Sequence, residues 1–247
     1  MKKLFTVLSF IIFIITFLNA QSLDEIIKKN IAVKGGAEKL NSIKTVQIEG
    51  KMIRMGMEMK ISMKYKKPSM IIMEINISDK KIILGYDGKT AWQISPFTGI
   101  DGPQEMTGEQ ADQIIENLDM FEDPFLDYKK KGNKIEFIGK DDLEGTEVFK
   151  LKLTKKDGRI VVFFLDSDSF IELKTEMIKK KKDGKETVFE SYMGDYKQVN
   201  GMMIAHSIKI KVNGIDMGNM IIESIKFNQP LESNLFKMPK KKQVKKK

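Results

Sequence analysis

The stretch Met57-Glu58-Met59-Lys60-Ile61-Ser62-Met63-Lys64-Tyr65-Lys66 decides the fold. Apolar residues at every odd position alternate with charged or hydroxyl residues at every even one. Successive side chains of a strand point to opposite faces, so this segment is a long β-strand with one apolar and one wet face. The pattern runs outward in both directions. Upstream, Val46, Ile48 and Met52 alternate with Gln47, Glu49 and Lys51; downstream, Ile71, Met73, Ile75 and Ile77 resume it after Pro68. Strand-like runs recur at 148–154, 160–166, 170–177, 207–212 and 220–227.

Turn pairs punctuate these runs: Asp87-Gly88, Asp157-Gly158, Asp183-Gly184, Asn200-Gly201 and Asn213-Gly214. Such pairs tolerate the positive φ angles that tight hairpins need. The spacing predicts about ten or eleven strands connected as a meander in one large antiparallel sheet. A sheet of that size twists and curls rather than lying flat.

Two helical segments interrupt the period of two. Ser22 and Glu25 form a capping-box pair ahead of an apolar stripe of Leu23, Ile26, Ile27 and Ile31, and Gly35-Gly36 ends it. Thr107 and Gln110 suggest a second capping box, followed by the stripe Ala111, Ile114, Ile115 and Leu118 through Met120. A helix inserted among strands must bury its stripe, and the concave apolar side of the curled sheet is the available place. The expected fold is mainly β with a few helices (α+β): a single curled antiparallel sheet forming an unclosed barrel, its concave face covered by an N-terminal and an inserted helix.

Residues 1–20 read as an export signal. Lys2 and Lys3 precede an apolar run from Leu4 to Leu18, and Asn19-Ala20 follows, with cleavage expected after Ala20. The run is short for a membrane span, which needs about 20 apolar residues. Residues 21–239 then form one domain, and 240–247 a lysine-rich tail. The chain contains no cysteine, which excludes a disulfide framework, a thiolate metal site and a lipidated cysteine. Formal net charge is +9, supplied almost wholly by lysine, with Arg54 and Arg159 the only arginines. Nucleic-acid readers favour arginine for its bidentate contacts, so no nucleic-acid partner is expected.

Catalytic chemistry is sparse. His206 is the only histidine, and no local pattern supplies a nucleophile or an orienting partner, so a structural role is the reading adopted. Asp141-Asp142 and Glu122-Asp123 read as solvated loop charge rather than a glycosidase pair. Asp166-Ser167-Asp168-Ser169 lacks the glycine and distal glutamate of a calcium loop and reads as an Asx-type turn. No phosphate loop, dinucleotide fingerprint or zinc spacing occurs. The expectation is a non-enzyme without metal or cofactor.

Methionine is the unusual element, with 17 residues. Methionine is unbranched and polarisable, and so suits surfaces that accept varied apolar partners. A half-open sheet with such a face, overlain by a helix, makes a hydrophobic cavity fit for acyl chains. The candidate lining is Met57, Met59, Ile61, Met63, Met73, Ile75, Trp92, Ile114, Ile115 and Leu118, with Trp92 equally readable as plain core.

Four segments carry a family resemblance. They are Ile26-Ile27 with Gly35-Gly36-Ala37-Glu38-Lys39-Leu40 and Ile43-Lys44-Thr45; Tyr86-Asp87-Gly88-Lys89-Thr90-Ala91-Trp92; Asp195-Tyr196-Lys197-Gln198-Val199-Asn200-Gly201; and Leu235-Phe236-Lys237-Met238-Pro239. In order and spacing the chain resembles the outer-membrane lipoprotein carrier and lipoprotein-sorting proteins, the LolA/LolB-like superfamily. The resemblance implies an unclosed barrel and transient, non-catalytic binding of lipoprotein acyl chains or another lipid. It also implies a periplasmic location, a monomer, and inner- and outer-membrane transport components as partners. Two departures stand out. Ala205 replaces the proline usual after Asn200-Gly201, and neither arginine matches the one that holds such carriers closed. The alternative reading is an envelope regulatory or sensor module docking a lipoprotein or protein partner. A hydrolase built around His206 is the third.

Overall fold

The computed structural model describes residues 22–99, 102–180 and 186–240. The expected export segment and cut after Ala20, the turn expected at Asp183-Gly184 and residues 241–247 of the tail lie outside the described residues. Thirteen strands make one antiparallel sheet: β1 (Thr45–Arg54), β2 (Met57–Lys66), β3 (Met70–Ile77), β4 (Lys80–Tyr86), β5 (Ala91–Ile94), β6 (Gln104–Met106), β7 (Lys134–Leu143), β8 (Thr146–Thr154), β9 (Ile160–Asp166), β10 (Glu172–Lys180), β11 (Glu186–Val199), β12 (Met202–Val212) and β13 (Ile215–Phe227).

The single meander expected from the turns is corrected. The order β6-β5-β4-β3-β2-β1-β13-β12-β11-β10-β9-β8-β7 is two meanders joined where the first strand pairs with the last. Val46 faces Phe227 and Met52 faces Met220 across that seam. Hairpin turns announce neighbours in sequence, whereas this pairing joins opposite ends of the chain. The sheet does not close on itself; its edges, β6 and β7, are consecutive in sequence. The connection between them therefore has to cross the open side.

Asn200-Gly201 and Asn213-Gly214 take the expected positive φ angles (50° and 74°, 50° and 77°). Met55-Gly56 and Glu144-Gly145 adopt the same double-positive turn (50° and 76°, 54° and 88°) without an asparagine or aspartate to announce it.

Helix α1 (Leu23–Val33) begins as expected, with Ser22 Oγ accepting the Glu25 amide at 3.2 Å. It buries Ile26 and Ile27 against Phe149, Leu151, Phe163 and Leu165 of β8 and β9. Helix α2 (Ala37–Ser42) follows Gly35-Gly36. Helix α3 (Glu109–Glu116) runs on into a 3-10 turn, Asn117–Phe121. Thr107 is not its cap: Gly108, at φ 57°, occupies the cap position, since glycine accepts the positive φ with which the chain enters. Ile114 packs on Ile71 and Ala91, and Leu118 and Phe121 extend from there toward Met63 and Tyr65. Phe125 then joins the cluster under α1. The segment 109–125 is thus a strap across the inner face, from one edge of the sheet toward the other.

The outer face carries its own core. Trp92, Ile72 and Phe236 are buried together beneath a second 3-10 turn, Ser233–Phe236, and Trp92 Nε1 donates to the Phe236 carbonyl at 2.8 Å. Gly85 is the cross-strand neighbour of Trp92, and a Cβ there would lie 2.3 Å from the indole ring. Gly85→Val is expected to cost about 1–3 kcal/mol by overpacking, read as a lower urea midpoint at unchanged m. An unshifted midpoint would place the ring elsewhere.

Candidate functional site

Strands β12 and β13 present Ile208, Met220 and Ile222 inward beside Val46 and Ile48 of β1, and α2 with the end of the strap arches over them. Between sheet and arch lies a cavity of about 320 Å³. Ile48, Ile208, Ile222 and Phe227 form its floor and Leu40, Met120 and Phe121 part of its roof, with Met193, Met202 and Met203 on its walls. This is an apolar space with flexible, polarisable walls, near the lower end of the roughly 300–1,000 Å³ typical of ligand pockets. Admitting a bulky apolar group therefore requires the roof to move.

Two contacts hold the roof. The Phe121 ring stacks on Tyr65, with centroids 4.6 Å apart and planes within 1°. Burial, helped by the Glu122 carboxylate, pushes the Tyr65 hydroxyl up to about 12. At the rim, Lys34, just past α1, pairs with Asp123 of the strap and, at 2.9 Å, with Glu172 at the start of β10. Burial by itself lowers the Lys34 pKa; the two carboxylates outweigh it and hold the ammonium above its ordinary value. Tyr196 completes the corner by donating its hydroxyl to the Glu172 carbonyl. The Asp123 side chain is only 4% exposed, so the reading of Glu122-Asp123 as solvated loop charge is corrected at Asp123. A loop that doubles back over a cavity buries the charge that ties it down.

None of the ten residues expected to line a cavity lies on this one. Ile61 and Met63 are on the inner face but buried in close packing with Val46, Ile48 and Tyr65, and Met73 and Ile75 pack beside them. Ile114 and Leu118 fill the space above, which is why the first meander has no room left. Met59 shares that face, partnered with Met52. Met57, near the hairpin end, is 58% exposed, and Ile115 is 40% exposed on the strap's outer side. Trp92 is corrected from cavity wall to outer-face core, because the pleat sends Ala91 inward and Trp92 outward. The open stretch of inner face lies instead under the seam and β11–β12. Met202-Met203 directly after Asn200-Gly201 was the available signal, but its weight depended on knowing that the inserted helix packs on the first meander instead.

His206 is buried, its Nδ1 2.9 Å from the Ile204 carbonyl. Asp166 Oδ1 accepts the amides of Asp168 (3.1 Å) and Ser169 (2.6 Å), an Asx turn as expected. Asp141 and Asp142 lie in β7 rather than in a loop, and Asp141 pairs with Lys150 at 2.9 Å. Among the described residues no cluster of three or more His, Cys, Asp or Glu is placed to hold a metal ion, and no helix is long and apolar enough to cross a membrane.

An unclosed antiparallel half-barrel with helices on its inner face defines the class, and solved structures share it. A domain of the outer membrane lipoprotein-sorting type from Vibrio parahaemolyticus superposes with a TM-score of 0.55 at 14% identity, covering 86% of this chain and 94% of that one. A LolA superfamily protein from Nitrosomonas europaea gives 0.56 at 14%, covering 88% and 98%. A DUF1329 family protein from Desulfovibrio piger gives 0.55 at 12%, covering 87% and 97%. No protein-family model and no curated protein matches the sequence. At such identities the likeness is one of fold: this chain shares the unclosed half-barrel of these structures.

Proposed function

We propose that this protein is an exported, non-catalytic carrier that takes acyl chains of a lipoprotein or another lipid into the cavity under the strap. The observation that carries the reading is the apolar, methionine-walled space of about 320 Å³, roofed by a segment held at discrete contacts. Acyl chains need area and adaptable walls rather than directional bonds, and this site offers both. The fold shared with lipoprotein-sorting and LolA-superfamily proteins agrees with it, and the segment 1–20 supports a periplasmic setting. The strap yields its apolar contacts to the incoming chain and closes again on release.

Mass spectrometry of gently isolated protein tests the proposal: bound lipid or lipoprotein is expected, and an empty, lipid-free protein under those conditions counts against it. A companion variant, Ala205→Trp, fills the cavity from its wall and is expected to weaken acyl binding about tenfold or more while the fold persists. Unchanged binding in that variant would move the site elsewhere.

A further inference from the structure

A polar recess of about 440 Å³ adjoins the apolar cavity, and Glu122, Asp123 and Pro124 of the strap form a wall common to both. Lys131, Lys155, Lys156 and Arg159 line the recess. Lys155 and Arg159 converge on one strap carboxylate, Asp119, at 2.5 Å and 2.6 Å. Arg159 also holds Asp157 at 2.6 Å, and Lys131 holds Glu122 at 2.9 Å. Asp123 is turned to Lys34 on the cavity side.

We propose that this recess is an anionic-headgroup site which Asp119 occupies in the closed state. An amphiphile with an anionic head would take Lys155 and Arg159 from Asp119, releasing the strap as its acyl chain enters the cavity. The inference rests on the carrier reading and specifies the chemistry of its cargo.

Charge decides the coupling. With the strap in place, Asp119 and Glu122 cut the net charge of the recess to +1. With both withdrawn and Asp123 kept by Lys34, four bases face one carboxylate, Asp157, a net charge of +3. A guanidinium beside two amines suits the several oxygens of a phosphate or similar head. Such a head binds the open state better than the closed one, and a ligand shifts an equilibrium only by its differential affinity. A neutral amphiphile has no such difference and must lift the roof by apolar contact alone. The shared wall lets one molecule place its head in the recess and its chain in the cavity.

The test is calorimetric titration of the whole protein at low salt with dioctanoyl-phosphatidylglycerol, dioctanoyl-phosphatidylcholine, dioctanoylglycerol and glycerol phosphate. Wild type is expected to prefer the anionic lipid by about tenfold over the other two lipids. Lys155→Gln with Arg159→Gln should erase that preference, while Asp119→Asn should raise affinity for the anionic lipid several-fold. Both variants lose the two ion pairs to Asp119, the double variant losing Arg159–Asp157 as well, so a purely structural latch moves them in one direction and a headgroup site moves them in opposite directions. Equal affinities for the three lipids, or parallel shifts in the two variants, overturn the inference and leave the carrier reading standing. Glycerol phosphate binding as tightly as the anionic lipid also overturns it, in favour of a free-anion site. No binding of any lipid overturns the carrier reading with it.

Discussion

Lys34→Met is expected to destabilise the protein by about 3 kcal/mol, because it leaves two carboxylates facing each other at a buried corner with no cation between them. Asp123 is 4% exposed, and Lys34 and Glu172 are each 19% exposed, so solvent cannot take over the pairing. For a chain of this size the loss corresponds to a fall in Tm of roughly 6–12 °C. The pairing is charge-assisted at both ends, and Lys34 also lies 5.1 Å from the Phe125 ring centroid, so an isosteric apolar chain recovers packing but not charge. A lysine whose folded pKa lies above its unfolded value contributes fully below the unfolded value, near 10.5, and loses that contribution as pH rises through the folded value. The difference between wild type and Lys34→Met should therefore be full at neutral pH and shrink only above about 10.5, where urea melts of the two converge. A variant as stable as wild type at neutral pH would show that the corner is not closed in solution.

Trp92→Ala is expected to cost more, about 3–5 kcal/mol, since it empties a site that is 1% exposed and leaves the Phe236 carbonyl without its indole donor. The 3-10 turn 233–236 is held on the outer face largely by this ring and Ile72, so its amides should lose hydrogen-exchange protection first. Trp92→Phe keeps most of the packing and separates stability from binding. Because the ring is on the face opposite the cavity, acyl binding by Trp92→Phe should match wild type. A folded Trp92→Phe that has lost binding would return the tryptophan to the cavity wall and contradict the observed pleat.

Those two residues mark where local reading succeeds and fails. Lys34 looks like an ordinary lysine after a helix; nothing near it in sequence names Asp123 or Glu172, about 90 and 140 positions away, and burial alone makes the triad consequential. Trp92 sits in a strand that the turn Asp87-Gly88 announces, but the strand is four residues long, and alternation over so few positions does not say which face is inward. In the longer β2, alternation assigned the inward side correctly: Ile61, Met63 and Tyr65 are all buried there.

The sequence by itself determined most of the strands, the hairpins at 87–88, 157–158, 200–201 and 213–214 and the two helices that overlie the sheet, because a period of two, a period of 3.6 and a two-residue turn are all properties of neighbouring residues. It also determined which side chains are apolar and inward along β1–β3. Only the tertiary structure decided that β1 closes on β13, how far the strap runs along the inner face, and which part of that face stays open beneath it. Those are pairings between distant segments, fixed by how the whole apolar surface is shared out. A strap that fills the first meander moves the cavity to the seam and β11–β12, where Met193, Met202 and Met203 form its walls.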